Sequence, residues 1–131
     1  MSDNAMVRHG AFSWCELTTT DVQAAKQFYT DLLGWTTEEV PGMDYTVVKT
    51  GDVGIGGIIA IPSHAAGAPP QWGIYITVDD VDATARKAQE LGAKTLMPLT
   101  DIPNVGRFYT FQDPQGAAIS IVTYRMEGAP S

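Results

Sequence analysis

Cysteine is almost absent from this chain: Cys15 is the only one in 131 residues, which excludes an intrachain disulfide and any cysteine-built zinc site. Histidine is nearly as scarce. His9 precedes the first strand-like segment and His64 lies in a loop-like stretch, and both read as solvated surface residues rather than ligands. No apolar run approaches the ~20 residues needed to cross a bilayer, and Met1 to Phe12 lacks the apolar core of a secretory signal. Ser2 to Met6 has the look of an expression remnant ahead of a start at Met6. Basic residues are few as well, eight Lys and Arg against fifteen Asp and Glu, a formal net charge of -7. That balance repels phosphate backbones and anionic lipid, so neither nucleic acid nor membrane is an expected partner. A lone cysteine and no export signal make the cytoplasm the expected compartment.

What is present is an ordinary globular balance, 44% hydrophobic and 18% charged, in a length that fits one domain with a real core. The strongest organising signal is an approximate internal repeat. The strand-like Phe12 to Leu17 leads through Thr18-Thr19-Thr20-Asp21 into a segment with Val22, Ala25, Tyr29, Leu32 and Leu33 on one helical face. Thr20 and Gln23 have the form of a capping box, and Gly34 can take the left-handed cap. The pattern then repeats. Ile74 to Val78 leads through Asp79-Asp80 into Val81, Ala85, Ala88 and Leu91, ending at Gly92.

Three strands are predicted after each helix, at Thr36 to Val40, Tyr45 to Thr50 and Ile55 to Ile61, then at Lys94 to Met97, Gly106 to Gln112 and Ala117 to Tyr124. Asp113-Pro114-Gln115-Gly116 fits a type I turn. The fold predicted is α+β, two tandem βαβββ units forming a cupped eight-stranded mixed sheet with the helices outside. The domain is placed at 7–131, with unit one about 11–61, a linker at 62–70 and unit two about 71–125. Gly51 to Gly57 lacks the Lys-Ser/Thr of a phosphate loop and opens no helix, so it reads as turn and strand.

Asp21 with Phe28-Tyr29 and Leu33-Gly34-Trp35, then Asp80, Leu91-Gly92, Gly106-Arg107-Phe108 and Asp113-Pro114-Gln115-Gly116, form an ordered set that resembles the vicinal-oxygen-chelate superfamily. This superfamily includes glyoxalase I, bleomycin-resistance proteins and extradiol dioxygenases. Phe12 to Leu17 and Asp101 to Phe108 are similar to a glyoxalase-like subgroup that includes a mycobacterial antigen and proteins named hydroxylases. The resemblance implies a homodimer and four metal-ligand positions. Counting seven residues back from Asp21 and Asp80 gives Trp14 and Gly73, and the closing strands offer Gly57, approximately, and Ser120. Indole and glycine do not coordinate a divalent ion and a lone serine does so poorly. No cofactor is therefore expected, and a divalent metal only if the usual ligand positions are replaced by others.

Side chains alternate along a strand. If position 14 faces the hollow of the cup, so do Phe12 and Glu16, while Ser13, Cys15 and Leu17 face the helix. In the second unit the same phase turns Gly73, Tyr75 and Thr77 inward, and Ser120 sets Ala118, Val122 and Tyr124. From the preceding strand come Tyr109 and Phe111, or alternatively Phe108 and Thr110. Arg107 at the strand mouth would pair with a carboxylate ligand or with Glu16. Ligand contact is thus expected from Phe12, Trp14, Tyr75, Thr77, Arg107, Tyr109 and Ser120. Glu16 is the candidate catalytic residue, because a carboxylate beside Trp14 and Phe12 would be desolvated, its pKa raised as a general base requires. Its bland alternative is a structural ion pair with Arg107.

Three functions follow from this lining. The first is a metal-free binding protein that stacks a small hydrophobic or aromatic molecule at a homodimer cleft. The second is a lyase, isomerase or hydroxylase-like enzyme with Glu16 as its base. The third is a dimeric scaffold with a vestigial pocket.

Overall fold

A computed structural model of the protein describes residues 4–103 and 105–125, with the side chain of His64 excepted. The expectations for that side chain and for Ser2 and Asp3 lie outside the described residues. Two compact units emerge, residues 14–73 and the remaining described residues. Among the described residues, eight strands and two α-helices, with two short 3-10 turns, make an α+β fold, and each unit carries the predicted βαβββ order.

In the first unit β1 (Phe12–Thr19) runs into α1 (Val22–Leu33), followed by β2 (Thr36–Glu39), β3 (Thr46–Thr50) and β4 (Val53–Ala60). The strand order is β2-β3-β4-β1. β1 and β4 are parallel, with Cys15 beside Gly56 and Glu16 beside Gly57, and the other pairs are antiparallel. The second unit repeats this plan with β5 (Gln71–Thr77), α2 (Val81–Glu90), β6 (Lys94–Ile102), β7 (Gly106–Gln112) and β8 (Ala118–Tyr124). Its order is β5-β8-β7-β6, with β5 and β8 parallel and Tyr75 beside Ser120.

The repeated Asp-Val pair is a repeated helix cap. Asp21 accepts from the Ala24 N–H at 3.0 Å and Asp80 from the Ala83 N–H at 3.1 Å, each satisfying one of the orphan donors of a first helical turn. The Thr20–Gln23 capping box is thus corrected: Asp21, one residue later, is the N-cap, with extended backbone at φ -142° and ψ 93°. Gly34 closes α1 in the left-handed region at φ 74°. Asp113 to Gly116 forms the predicted turn, with the Gly116 N–H donating to the Asp113 carbonyl at 2.9 Å.

Each helix covers one face of its strands. Leu17, Val48 and Ile58 are buried beneath α1 with Val22, Ala25 and Tyr29 packed on them, and Val78, Val81, Ala85, Tyr109 and Ile121 form the core beneath α2. Leu32, Leu33 and Leu91, expected on the buried faces, are exposed instead, the first two in the last turn of α1 and the third at the C-cap of α2. Cys15 shares the alternation of Leu17 but is exposed, so its predicted place under the helix is also corrected.

The segment ahead of β1 joins the second unit. Gly10 donates to the Thr77 carbonyl at 2.7 Å, the Thr77 N–H to the Ala11 carbonyl at 2.9 Å, and the Thr77 hydroxyl to the Ala5 carbonyl at 2.6 Å.

Candidate functional site

On the helix-free face of the first unit, β1 presents Trp14 and Glu16 two residues apart, as the alternation predicts. Tyr45, at the entry to β3, joins them. The Trp14 Nε1–H donates to the Tyr45 hydroxyl at 2.7 Å, and that hydroxyl donates to Glu16 Oε2 at 2.8 Å. All three side chains are half-buried. The phenol rests on β4 at Gly57, where a Cβ would collide with its oxygen and ring. Gly57 is therefore glycine because Tyr45 occupies the volume its side chain would fill. A methyl on Gly54 would lie 3.4 Å from Val47 Cγ1 and 3.7 Å from the Trp14 ring, so Val47 and the indole flank an apolar floor.

The helix-free face of the second unit carries Tyr75, Phe108, Thr110 and Ser120. Tyr75 meets Phe108 edge-on with ring centroids 6.2 Å apart, and Thr110 and Ser120 share a hydroxyl–hydroxyl bond of 2.7 Å. Ser13, expected to face a helix, bonds the Tyr124 hydroxyl at 2.9 Å and donates to the Tyr75 carbonyl at 3.3 Å.

Two of the predicted lining residues, Tyr109 and Arg107, go elsewhere, and two more, Thr77 and Phe12, are respectively buried and exposed. Tyr109 is corrected to the opposite face: it is 1% exposed, lies in the core beneath α2, and bonds Thr95 and Gln89 through its hydroxyl. The other phase, Phe108 and Thr110, is the one that shares a face with Ser120. Arg107 follows Tyr109 in phase and reaches the first turn of α2. Its Nε–H donates to Asp82 Oδ1 at 2.8 Å and its Nη1–H to Asp101 Oδ1 at 3.2 Å, which corrects the pairing expected with Glu16 or a ligand. The guanidinium beside Asp82 holds that carboxyl below its usual range, chiefly by hydrogen bonding, and the pair raises the Arg107 pKa in turn. Thr77 keeps the predicted face, yet it is 3% exposed and its hydroxyl is committed to Ala5. Phe12, at the outer end of β1, is 68% exposed. His9 accepts from the Asp79 N–H at 2.9 Å on the surface.

The four positions that the resemblance assigns to metal ligands do not fit a divalent cation. Trp14 supplies an indole whose N–H is donated to a phenol, Gly57 lies under that phenol, Gly73 has no side chain, and the Ser120 hydroxyl is engaged by Thr110. Among the described residues, no group of three or more His, Cys, Asp and Glu side chains is arranged to hold a metal ion. No helix among them is long and apolar enough to cross a membrane.

Tyr45 is the residue that the sequence reading missed. Its signal was parity. Tyr45 and Val47 alternate with buried Thr46 and Val48, and the glycine at 57 leaves room on β4 that a large neighbour has to fill.

The two βαβββ units, each with a helix on one face of its strands, have the order of a vicinal-oxygen-chelate fold. The family model of the Glyoxalase/Bleomycin resistance protein/Dioxygenase superfamily matches residues 11–121, and the chain belongs to that superfamily. Among its relatives, the Mycobacterium tuberculosis protein named "Putative glyoxylase CFP32" is 38% identical over 126 residues, covering 92% of this chain and 48% of that protein. The "Anthracycline biosynthesis protein DnrV" of Streptomyces peucetius is 32% identical over 127 residues, covering 86% and 46%. The chain thus spans about half the length of these two relatives. A methylmalonyl-CoA epimerase from Mycobacterium tuberculosis has the same fold at 16% identity, with a TM-score of 0.61 over 93% of this chain and 91% of that one. A homoprotocatechuate 2,3-dioxygenase variant from B. fuscum gives 0.63 at 18% identity over 88% and 32%.

Proposed function

We propose that this chain is a metal-independent small-molecule binding protein of the glyoxalase/bleomycin-resistance type, with Trp14, Tyr45 and Glu16 as its ligand-contacting patch. The observation that carries the reading is the hydrogen-bonded chain among these three side chains, set where the resemblance puts a metal centre. An aromatic surface with one fixed polar group is the usual make-up of a site for a flat organic molecule. The relative named for anthracycline biosynthesis favours an aromatic ligand in the same direction. A homodimer in the cytoplasm is the assembly and compartment that go with this proposal.

The test is a melting-temperature screen of the metal-analysed protein against divalent cations and planar aromatic compounds. A ligand at 100 times its dissociation constant stabilises by ~2.7 kcal/mol. Stabilisation by aromatics and none by zinc, nickel, iron or manganese supports the proposal. Stoichiometric metal in the purified protein overturns it.

A second reading, a metal-free lyase or isomerase with Glu16 as general base, is favoured by the hydrogen bond that aims this carboxylate. Glu16→Gln separates the two readings. Turnover of a true substrate falls by about 10² or more if Glu16 takes a proton, whereas a binding protein only changes its affinity.

A further inference from the structure

On the helix side of residues 14–73, away from Trp14 and Glu16, apolar side chains gather beside the second half of α1. Phe28 and Leu32 stand one turn apart and form a ridge, and Trp72 approaches from β5. Ring contacts link the group. Phe28 meets Tyr29 edge-on at 5.0 Å between centroids, Tyr29 stacks on Trp35 at 5.7 Å, and Trp72 meets Tyr29 and Trp35 edge-on at 5.4 and 6.2 Å. The Trp72 indole N–H donates to the Tyr29 hydroxyl at 3.3 Å, so its one polar atom is engaged inside the group. Tyr29 and Trp35 are half-buried, whereas Phe28 is 57% exposed, Leu32 62% and Trp72 40%. At about 200 Å² for a whole large side chain, these three leave on the order of 300 Å² of apolar surface open to solvent.

We propose that this patch is the contact face of a homodimer, in which a second copy lays its Phe28–Leu32 ridge antiparallel against the first. The existence of a dimer rests on the binding reading above; its contact face, on the opposite side of the strands from the ligand-contacting patch, goes beyond that reading. Area fits this occupant. Two such patches bury roughly 600 Å² of apolar surface, and at the ~65% apolar share of homodimer contacts the whole interface comes to about 900 Å². That lies just below the ~1,000 Å² of a stable interface, which points to a weak, reversible dimer. Charge favours a copy over a different protein. A foreign partner is selected by complementary charges, but the two charged residues of α1 are bonded within the chain, Lys26 to Glu39 at 2.8 Å and Asp31 to Gln27 at 2.9 Å. An antiparallel pair sets each Phe28 against the other copy's Leu32, as a two-fold contact requires.

The experiment is sedimentation velocity on the full chain from about 1 μM to about 1 mM, at low salt and at about 1 M salt, where charges are screened beyond about 3 Å. A monomer–dimer equilibrium in the micromolar range or weaker is expected. Salt should leave it unchanged or tighten it, because each copy carries a formal net charge of -7. Leu32→Glu and Phe28→Ala should each raise the dissociation constant about tenfold or more, with melting unchanged at the lowest concentration, where every variant is monomeric. Leu91→Glu, at an exposed position at the end of α2, should stay within about twofold of the parent. The Trp72 indole resonance, assigned by Trp72→Phe, should shift with concentration in the parent and not in Leu32→Glu. A chain that is monomeric throughout, a dimer indifferent to both ridge substitutions, or one weakened by salt overturns the inference. Planar aromatics that stabilise Leu32→Glu as much as the parent keep the binding reading standing in each of those cases. A dimer with these sensitivities but no stabilisation by any aromatic removes the binding reading and leaves the contact face.

Discussion

Replacing Gly57 by Ala tests the structural argument at its narrowest point. The added methyl occupies the place of the Tyr45 phenol, and β4 has no freedom to withdraw because Gly57 is held between Glu16 on β1 and Val47 on β3. The ring has to swing out, giving up the bond from Trp14 and the bond to Glu16. A neutral hydrogen bond contributes about 0.5–1.5 kcal/mol and one to a charged group about 1.5–3. Rehydration of half-exposed groups recovers part of this, and replacing Gly by Ala returns roughly 0.4–1 kcal/mol through the unfolded chain. The net expectation is a loss of about 2 kcal/mol, read as a lower urea midpoint at unchanged slope. Gly54→Ala is the control. Its methyl meets Val47 Cγ1 at 3.4 Å, an ordinary contact, and its stability should stay within about 0.5 kcal/mol of the parent. The double variant Gly57→Ala/Tyr45→Ala removes the collision and should cost less than the sum of its parts. Gly57→Ala matching Gly54→Ala in stability, with the Trp14 indole resonance unmoved, would refute the reasoning.

The remaining predictions address the two helices and the core. Tyr109→Phe should lower stability by about 1 kcal/mol by stripping Thr95 and Gln89 of a partner, and should leave the binding of planar aromatics unchanged, because Tyr109 lies under α2. Asp80→Ala and Asp21→Ala should each cost about 1 kcal/mol in urea unfolding as lost N-caps. The carboxyl of Asp82 is held below its ordinary 3.8 by Arg107. A depressed folded-state pKa gives stability that is fully present above 3.8 and lost as pH falls through the lower folded value. Asp82→Asn should therefore lower the melting temperature at pH 7, and the difference from the parent should shrink as melting is followed into acid below pH 3.8.

The repeat was legible because its markers are local. An Asp followed by an apolar helical face, then a Gly, fixes a cap, a buried stripe and a stop within a dozen residues, and this happens twice. The phase of β1 was legible too, since Leu17 and Thr19 alternate cleanly with Trp14 and Glu16. β7 was not, because Arg107, Tyr109 and Phe111 on one parity face Phe108, Thr110 and Gln112 on the other, and neither set is plainly apolar. Its phase is decided by α2, where Val81 and Ala85 leave a space that the Tyr109 ring fills and Asp82 a charge that Arg107 meets. No pattern within β7 contains that information. Tyr45 was hidden for a related reason. It stands at the edge of a turn, and only the neighbouring strand's glycines give it a role.

The hydrogen bonds that tie Ala5, Gly10 and Ala11 to Thr77 bear on the order in which a ribosome delivers the molecule. Residues 14–73 form one unbroken stretch and have all their unit's partners once they have emerged. Ala5, Gly10 and Ala11 must instead wait for Thr77, made about seventy positions later, an interval of roughly 3–14 s at ordinary elongation rates. Residues 5, 10 and 11 are thus paired only after β1 to β4 have been made.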